Sequence, residues 1–131
     1  MKFESQICTT REQSERLLAL GLKKETADMS HTAIVVNHKV EYRIDCSTAK
    51  SIDIPAWSLH RLVEMMPRYV HTDYYHYERT LFADSICYYK ELYNDCGEDL
   101  ISFDSPNLYD RVINCIEWLI KECYFNKEYL V

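Results

Sequence analysis

The stretch DSPNLYDRVINCIEWLIKECY, residues 104–124, decides the fold of this chain. Its apolar residues recur at steps of three and four, which places them on one side of an α-helix. They are Leu108, Val112, Cys115, Ile116, Leu119, Ile120 and Cys123. The polar residues on the opposite side are Asp110, Arg111, Asn114, Glu117 and Lys121. Ser105 is suited to cap this helix, and Pro106 to occupy its first position. A helix this one-sided needs a surface to pack against, because burial of each large apolar side chain contributes about 1.5–3 kcal/mol. We expect that surface to be a β-sheet.

A shorter helix is predicted near the N-terminus. Two overlapping capping boxes, Thr9 with Glu12 and Thr10 with Gln13, precede the segment SERLLAL, residues 14–20. Gly21 is suited to the left-handed conformation that ends a helix. The predicted packing contacts of this helix are Leu17, Leu18 and Leu22.

A β-hairpin is predicted next, with strands at residues 31–36 and 40–45 and a three-residue loop at 37–39. Its second strand alternates apolar residues with charged ones. The apolar residues are Val40, Tyr42 and Ile44, and the charged ones are Glu41, Arg43 and Asp45. This alternation is typical of a half-buried strand.

The region between the hairpin and the final helix is predicted to hold a second short helix and several strands. Pro55 can start a helix and Pro67 prevents its continuation, so residues 54–67 are predicted to be helical. Its apolar face comprises Leu59, Leu62, Val63 and Met66. Residues 74–77, 79–83, 86–92 and 100–103 have strand-like composition, and residues 94–99 are the clearest turn.

These elements predict a single α+β domain, residues 1–131. It consists of an antiparallel sheet with the long C-terminal helix packed on one face, together with two shorter helices. A chain of 131 residues is long enough to bury a core without disulfides or metals.

Composition and charge exclude several classes of protein. Hydrophobic residues make up 47% of the chain and charged residues 27%, which is the usage of a globular protein. The net charge of −6 arises in the second half, because residues 1–66 carry nine basic and nine acidic residues, whereas residues 67–131 carry six and twelve. An acidic chain without a basic patch argues against nucleic acid as a partner.

The sequence also predicts where the protein resides. Its longest apolar runs, such as residues 17–20 and 33–36, have four residues. A bilayer-spanning helix needs roughly 20, so no membrane association is expected. The N-terminal segment MKFESQ lacks the apolar region of an export signal. We therefore expect a cytoplasmic protein whose six cysteines are reduced thiols.

No residue pattern indicates a metal or cofactor site. Neither Cys-x-x-Cys nor His-x-x-x-His occurs, and the two glycines are too few for a phosphate-binding loop. An enzyme would have to assemble its site from distant groups. The available groups are Cys96, His71, His76 and Asp99. The acidic neighbours of Cys96 disfavour a reactive thiolate, so a small enzyme is an alternative and a non-enzymatic role is preferred.

The eleven tyrosines are the unusual feature of the composition, and seven of them lie within the 25-residue span 69–93. Tyrosine offers a wide amphipathic contact area at low entropic cost and is enriched at protein interfaces. The residues predicted to contact a partner protein or a second copy are Tyr74, Tyr75, Tyr77, Tyr88 and Tyr89. The competing interpretation is that the rings fill the helix-facing side of the sheet.

A single-stranded nucleic-acid binder would use the same rings for stacking. Such a binder needs a positively charged groove, and only Arg68, Arg79 and Lys90 are near.

Three stretches of the chain carry a resemblance to a known group of proteins. They are TREQSERLL at residues 10–18, IPAWSL at 54–59 leading to Met66-Pro67, and IEWLIKECY at 116–124. Together they resemble small uncharacterised proteins encoded in phage and other mobile elements of Bacteroides-group gut bacteria. Those relatives end the last helix with glycine where Cys123 stands. The resemblance implies a mobile-element origin and a cytoplasmic location, and it brings no catalytic residue with it.

Overall fold

The computed structural model describes residues 5–46, 53–91 and 97–131. Three α-helices and two antiparallel sheets lie within these residues, which confirms the predicted α+β class. The chain forms two compact units, and each is described by itself below. One comprises Met1–Glu64 with Lys127–Val131, and the other comprises Met65–Asn126. The single domain over residues 1–131 stays a prediction.

The first unit is built around a three-stranded sheet. Its elements are α1 (Arg11–Ala19), a 3-10 helix (Lys24–Thr26), β1 (Met29–Val36), β2 (Lys39–Asp45), β3 (Ile54–Ala56), α2 (Leu59–Met65, which ends one residue beyond the unit) and a second 3-10 helix (Lys127–Tyr129). The strand order is β2-β1-β3, and both pairings are antiparallel. β2 and β3 are therefore the edges of this sheet.

The start of α1 confirms one of the two predicted capping boxes. The amide of Gln13 donates to the Thr10 hydroxyl at 3.2 Å, and the amide of Thr10 donates to the Gln13 side-chain oxygen at 3.0 Å. Gly21, at a φ of 102°, takes the predicted left-handed conformation after the helix. Leu17 and Leu22 are buried as predicted. The expected packing role of Leu18 is wrong, because this side chain faces solvent.

Trp57 is the largest fully buried side chain of the first unit. Its backbone carbonyl accepts from the Thr9 amide at 2.9 Å, and its own amide donates to the Thr9 hydroxyl at 3.1 Å. Its indole N–H donates to the Thr26 hydroxyl at 3.0 Å. Since its polar atoms are all paired, the ring can be buried without the cost of an unsatisfied donor.

The predicted helix start at Pro55 is wrong. Residues Ile54–Ala56 form strand β3, where Ala56 pairs with Met29 of β1. Proline is tolerated there because an edge strand does not need every amide for pairing. The helix α2 begins at Leu59 instead, and the Ser58 hydroxyl accepts from the Arg61 amide at 3.2 Å, as in a helix cap. Of the predicted apolar face, Leu62 and Met66 are buried, and Leu59 and Val63 are half-buried.

The hairpin of β1 and β2 differs from its prediction in two respects. Lys39 pairs with Val36, so the loop is the two-residue turn Asn37-His38 rather than three residues. Both turn residues have positive φ, 51° and 63°, as in a type I′ turn, the turn whose twist matches that of the flanking strands. The hairpin is also not uniformly half-buried, because every residue of β2 is exposed.

The second unit is a four-stranded antiparallel meander with one helix. Its elements are β4 (Tyr69–His71), β5 (His76–Leu81), β6 (Ile86–Glu91), β7 (Gly97–Phe103) and α3 (Leu108–Lys121). The strand order β4-β5-β6-β7 follows the sequence. Two predicted strands, 74–77 and 79–83, are one strand in the structure, with residues 74 and 75 in the turn before it. The predicted turn at 94–99 lies partly outside the described residues, and its described part, residues 97–99, belongs to β7.

The long helix α3 contacts β6 and β7, which confirms that it packs on the sheet. Its buried apolar residues are Val112, Ile113, Cys115, Ile116 and Leu119. Leu108 and Cys123, at the two ends of the predicted stripe, are exposed. The prediction that Arg111 lies on the polar side is wrong, because Arg111 is buried and its Nε donates to the Ser105 carbonyl at 2.9 Å.

The start and the end of α3 each depend on a single residue. The side chain of Asn107, not that of Ser105, caps the helix by accepting from the Asp110 amide at 3.0 Å, so the helix begins at Leu108 and not at Pro106. At the other end, Cys123 has a φ of 63° and the Tyr124 amide donates to the Leu119 carbonyl at 2.8 Å. This is the Schellman arrangement, in which glycine is the preferred residue. Cys123 therefore adopts the strained conformation that a glycine would adopt without cost.

Replacing Cys123 by glycine is expected to stabilise the protein by about 0.5–1 kcal/mol, because the left-handed conformation no longer opposes a Cβ atom. Urea unfolding measures the effect. The matched control is Glu122→Gly, one residue earlier at an ordinary φ of −89°. This control is expected to lower stability, since glycine there only adds freedom to the unfolded chain. A Cys123→Gly variant no more stable than the parent would contradict the assignment.

Candidate interaction surface

The alternation of side chains along β5 and β6 divides the predicted tyrosines between two faces of the sheet. Tyr88 and Tyr77 are buried, whereas Tyr89, the next residue after Tyr88, lines a groove on the protein surface. Tyr74 and Tyr75 precede β5 and are both exposed. The five residues therefore do not form one exposed cluster. Two of them belong to the core of the second unit.

Tyr88 is fully buried, and both its hydroxyl and its ring make contacts inside the second unit. Its hydroxyl donates to the Pro67 carbonyl at 2.7 Å, and its ring centroid is 6.0 Å from that of Trp118 on α3. Burial raises the pKa of Tyr88 well above its ordinary value of 10.0. A ring in this position stabilises the fold and cannot contact a partner.

The groove on the other face has a volume of about 630 Å³. Its lining residues are Tyr69, His76, Glu78, Thr80, Phe82, Tyr89, Lys90 and Glu91. The register explains this grouping, because Glu78 of β5 pairs with Tyr69 of β4 on one side and with Tyr89 of β6 on the other. Residues paired directly across strands project from the same face, so two tyrosine rings flank the Glu78 carboxylate. We call this surface the aromatic groove.

Gly97 allows Tyr89 to take its position in the aromatic groove. A Cβ atom at position 97 would overlap the phenol oxygen of Tyr89, so the ring lies directly over the first residue of β7. The register between β6 and β7 shifts at Tyr88 and Tyr89, which is typical of a β-bulge. The absence of a side chain at Gly97 thus sets one wall of the groove.

The turn between β4 and β5 presents the most exposed aromatic ring among the residues that the structure describes. Tyr74 is 86% exposed. The turn is closed by the Thr72 amide, which donates to the Tyr75 carbonyl at 2.9 Å, and by the Tyr75 amide, which donates to the Thr72 hydroxyl at 3.2 Å. The ammonium of Lys90 lies 3.1 Å from the centre of the Tyr75 ring. The same ammonium lies 5.7 Å from the ring centre of buried Tyr77, so this cation–π contact holds Tyr75 on the side of the sheet where Tyr77 lies.

The charges around the aromatic groove are mostly paired. Arg68 Nε lies 3.6 Å from a Glu78 oxygen, and Lys90 Nζ lies 3.4 Å from a Glu98 oxygen. Glu91 adds a further carboxylate to the lining. The groove therefore combines apolar rings with groups of both signs and does not present the positive field that binds a nucleic-acid backbone.

Of the residues considered for an enzyme site that the structure describes, only the two histidines are in contact. His71 and His76 are paired across β4 and β5, and their Nδ1 atoms are in contact. Asp99 lies in β7, two strands away from β5. Its carboxylate accepts a hydrogen bond from the thiol of Cys87 in β6. Cys96 lies outside the described residues. Within residues 5–46, 53–91 and 97–131, no group of three or more His, Cys, Asp or Glu side chains is arranged to hold a metal ion.

Three buried thiols are unsuited to act as nucleophiles at neutral pH. Burial raises the pKa of Cys115 to about 12. Burial, assisted by the charge and hydrogen bond of Asp99, raises the pKa of Cys87 to about 11. The pKa of Cys8 is also raised, by burial first and then by the Asp28 carboxylate. Because the thiolate is the reactive form, these residues stay inert.

The aromatic residues of the groove that the sequence prediction missed are Tyr69 and Phe82. Tyr69 could have been identified from its position three residues before the turn at 72–75. A hairpin with this turn pairs Tyr69 with Glu78. Phe82 follows β5 by one residue and keeps the parity of Glu78 and Thr80. Identifying either residue from the sequence requires the correct first and last residues of β5.

Comparison of this chain with protein-family models, with curated proteins and with solved structures found no match. In the part of the chain that the structure describes, no helix has the length and apolar character needed to span a bilayer.

The raised thiol pKa values predict that the protein loses stability in alkaline solution. The unfolded thiols ionise near their ordinary pKa of 9.0, whereas folded Cys87 and Cys115 keep their protons to about 11 and about 12. The unfolded chain binds fewer protons in this interval, so the stability is fully present below about pH 9 and declines as the pH rises through these folded values. Urea midpoints at about pH 8 and about pH 10.5 measure the decline.

The control for this prediction is Cys115→Ala. It is expected to be less stable at about pH 8 because of the cavity, and to lose less further stability at about pH 10.5 because one titrating thiol is gone. An equal loss in the variant and the parent would show that burial of the Cys115 thiol does not govern the alkaline response.

Proposed function

We propose that this chain is a non-enzymatic accessory protein that acts through protein contacts, and that the aromatic groove with the adjoining Tyr74 and Tyr75 is its contact surface. The observation that carries the proposal is that four exposed aromatic rings lie in or next to β4 and β5, two of them in the groove and two in the turn between these strands. The exposed rings are Tyr69, Tyr74, Tyr75 and Phe82. Exposed apolar surface of this kind is typical of binding sites.

The construction of the groove also favours a protein partner. Tyr75 and Tyr89 are held in place, by Lys90 and by the space at Gly97 respectively, so little side-chain freedom is lost on binding. The Glu78 carboxylate offers a polar contact between the Tyr69 and Tyr89 rings. Aromatic anchors around a few polar groups are the usual composition of an interface centre.

The two alternatives are less well supported by the same residues. A single-stranded nucleic acid would meet the carboxylates of Glu78 and Glu91 in the groove. An enzyme would need a third group beside His71 and His76, whose rings lie with centroids 4.5 Å apart at an exposed position. A water-excluding environment, which acid–base catalysis uses, is lacking at an exposed pair.

The origin and location of the protein complete the proposal. The resemblance of residues 10–18, 54–59 and 116–124 to mobile-element proteins of the Bacteroides group supports an accessory role in a phage or a related element. A cytoplasmic location agrees with the three protonated thiols at Cys8, Cys87 and Cys115. The partner is then a protein of the host cytoplasm or of the element itself.

The double variant Tyr75→Ser/Tyr89→Ser is expected to weaken partner binding at least about tenfold, because interface tyrosines act as anchors. The partner is first identified by photo-crosslinking from a benzophenone side chain placed at Phe82 in host cells. The purified partner is then titrated against the parent and the double variant. Stability should fall by no more than about 1 kcal/mol, since both rings lie at the surface.

The matched control is Leu108→Ser, which removes an exposed apolar side chain from α3 and not from the groove. Its affinity should equal that of the parent. The proposal is refuted if the double variant binds as tightly as the control, or if it is unfolded in the absence of the partner.

A further inference from the structure

The exposed edge strand β2 has a feature that the proposed function does not use. It lies at one end of the sheet β2-β1-β3, and all seven of its residues are exposed. Val40, Tyr42 and Ile44 are 63%, 43% and 47% exposed. Long exposed edge strands with apolar side chains are templates for pairing with another chain, and proteins usually protect them.

The hairpin geometry determines which backbone groups of β2 are available for such pairing. A two-residue loop is closed by a pair that exchanges both hydrogen bonds, and this pair is Val36 and Lys39. In an antiparallel ladder the hydrogen-bonded positions alternate, so residues 39, 41, 43 and 45 bond to β1. The amides and carbonyls of Val40, Tyr42 and Ile44 point away from β1, toward the free edge.

The sequence of β2, KVEYRID at residues 39–45, is complementary to itself when it is read in the opposite direction. With Tyr42 at the centre of an antiparallel pair, Tyr42 meets Tyr42 of a second copy. Lys39 then meets Asp45, and Glu41 meets Arg43. Val40 meets Ile44 on the other face. Each charged pair is of opposite sign, Val40 and Ile44 form β-branched pairs, and the central pair is aromatic. All three kinds of cross-strand pair are favourable.

This register pairs all seven residues of β2 with matched faces and matched charges. Registers centred on Val40 or Ile44 also keep opposite charges together, but they pair fewer residues of the strand. Moving the centre to residue 41 places Glu41 opposite Glu41 and Lys39 opposite Arg43. Moving it to residue 43 places Arg43 opposite Arg43 and Glu41 opposite Asp45. Like charges directly opposite one another are unfavourable, so the charge pattern selects the Tyr42 register against its neighbours.

We propose that β2 pairs with β2 of a second copy of this chain, in antiparallel orientation about a two-fold axis at Tyr42. The pairing joins two three-stranded sheets into one of six strands. The residues that meet across the axis, Val40, Tyr42 and Ile44, are the ones whose backbone groups point outward, so the two strands form six backbone hydrogen bonds. A contact of this kind is isologous and closes as a dimer, which protects the edge from further addition.

The dimer is expected to be concentration-dependent. Pairing of two edge strands alone involves less surface than the roughly 1,200–2,000 Å² of a stable interface, so the dissociation constant should lie in the range of about 1–100 µM. The surface is separate from the aromatic groove, which belongs to other strands in the second unit. The proposed function and this inference can therefore fail independently.

The test exchanges charges at the two inner positions of the full chain. In sedimentation velocity, Glu41→Arg and Arg43→Glu should each weaken the dimer at least about tenfold, because each places two pairs of like charges across the axis. An equimolar mixture of the two single variants should recover dimers, since the charges are complementary again between unlike chains. The double variant Glu41→Arg/Arg43→Glu should also dimerise, with an affinity within about threefold of the parent.

Recovery in the mixture is the decisive result, because a variant that had merely misfolded could not recover by mixing. The inference is overturned if the parent stays monomeric at about 1 mM. It is also overturned if both single variants dimerise as the parent does, or if the mixture stays monomeric. In the last two cases another surface or another register would be responsible.

Amide hydrogen exchange gives a second readout of the same pairing. The amides of Val40, Tyr42 and Ile44 should exchange rapidly in dilute solution and become protected as the concentration rises. The amides of Glu41 and Arg43, already bonded to β1, should be protected at every concentration. Protection that does not follow this alternation would contradict pairing at the β2 edge.

Discussion

The second unit depends on the packing of α3 against β6 and β7. Val112, Ile116 and Leu119 are fully buried in this helix, and their burial fixes which face of the sheet is interior. Once that face is chosen, the period of two along a strand assigns every other residue of β6 to one side or the other. Tyr88 therefore lies on the interior face, and its neighbour Tyr89 lies on the other face, where the β-bulge and Gly97 make room for its ring.

Strong periodic patterns in the sequence predicted the long helix α3 correctly. The prediction failed at positions where two nearby residues could serve the same structural role. The three- and four-residue steps from Val112 to Leu119 identified α3. Its start was misplaced because Ser105 and Asn107 are almost equally good caps, and only the structure shows that the latter is used. Arg111 was assigned to the polar side because a charge is rarely buried, but backbone carbonyls such as that of Ser105 satisfy its guanidinium.

The candidate surface was harder to predict than the fold because it depends on strand register. Adjacent tyrosines leave the alternation undecided, and a shift of one residue moves each ring to the opposite face. Because β5 begins at His76, Tyr77 lies in the strand and is buried, whereas Tyr74 lies in the preceding turn and is exposed. No property of tyrosine itself distinguishes the two. Pro55 shows the same limitation, since proline is compatible both with a helix start and with an edge strand.

In the second unit, α3 packs against Tyr88, Tyr77 is buried on the same face of the sheet, and Tyr74 and Tyr89 remain accessible. Hydroxyl-radical footprinting with mass spectrometry measures the accessibility of each ring directly, with the urea-unfolded chain as the reference. We expect Tyr74 to react nearly as fast as in the unfolded chain and Tyr89 to react at an intermediate rate, whereas Tyr77 and Tyr88 should be strongly protected. Rapid oxidation of Tyr88 together with protection of Tyr74 would contradict this arrangement.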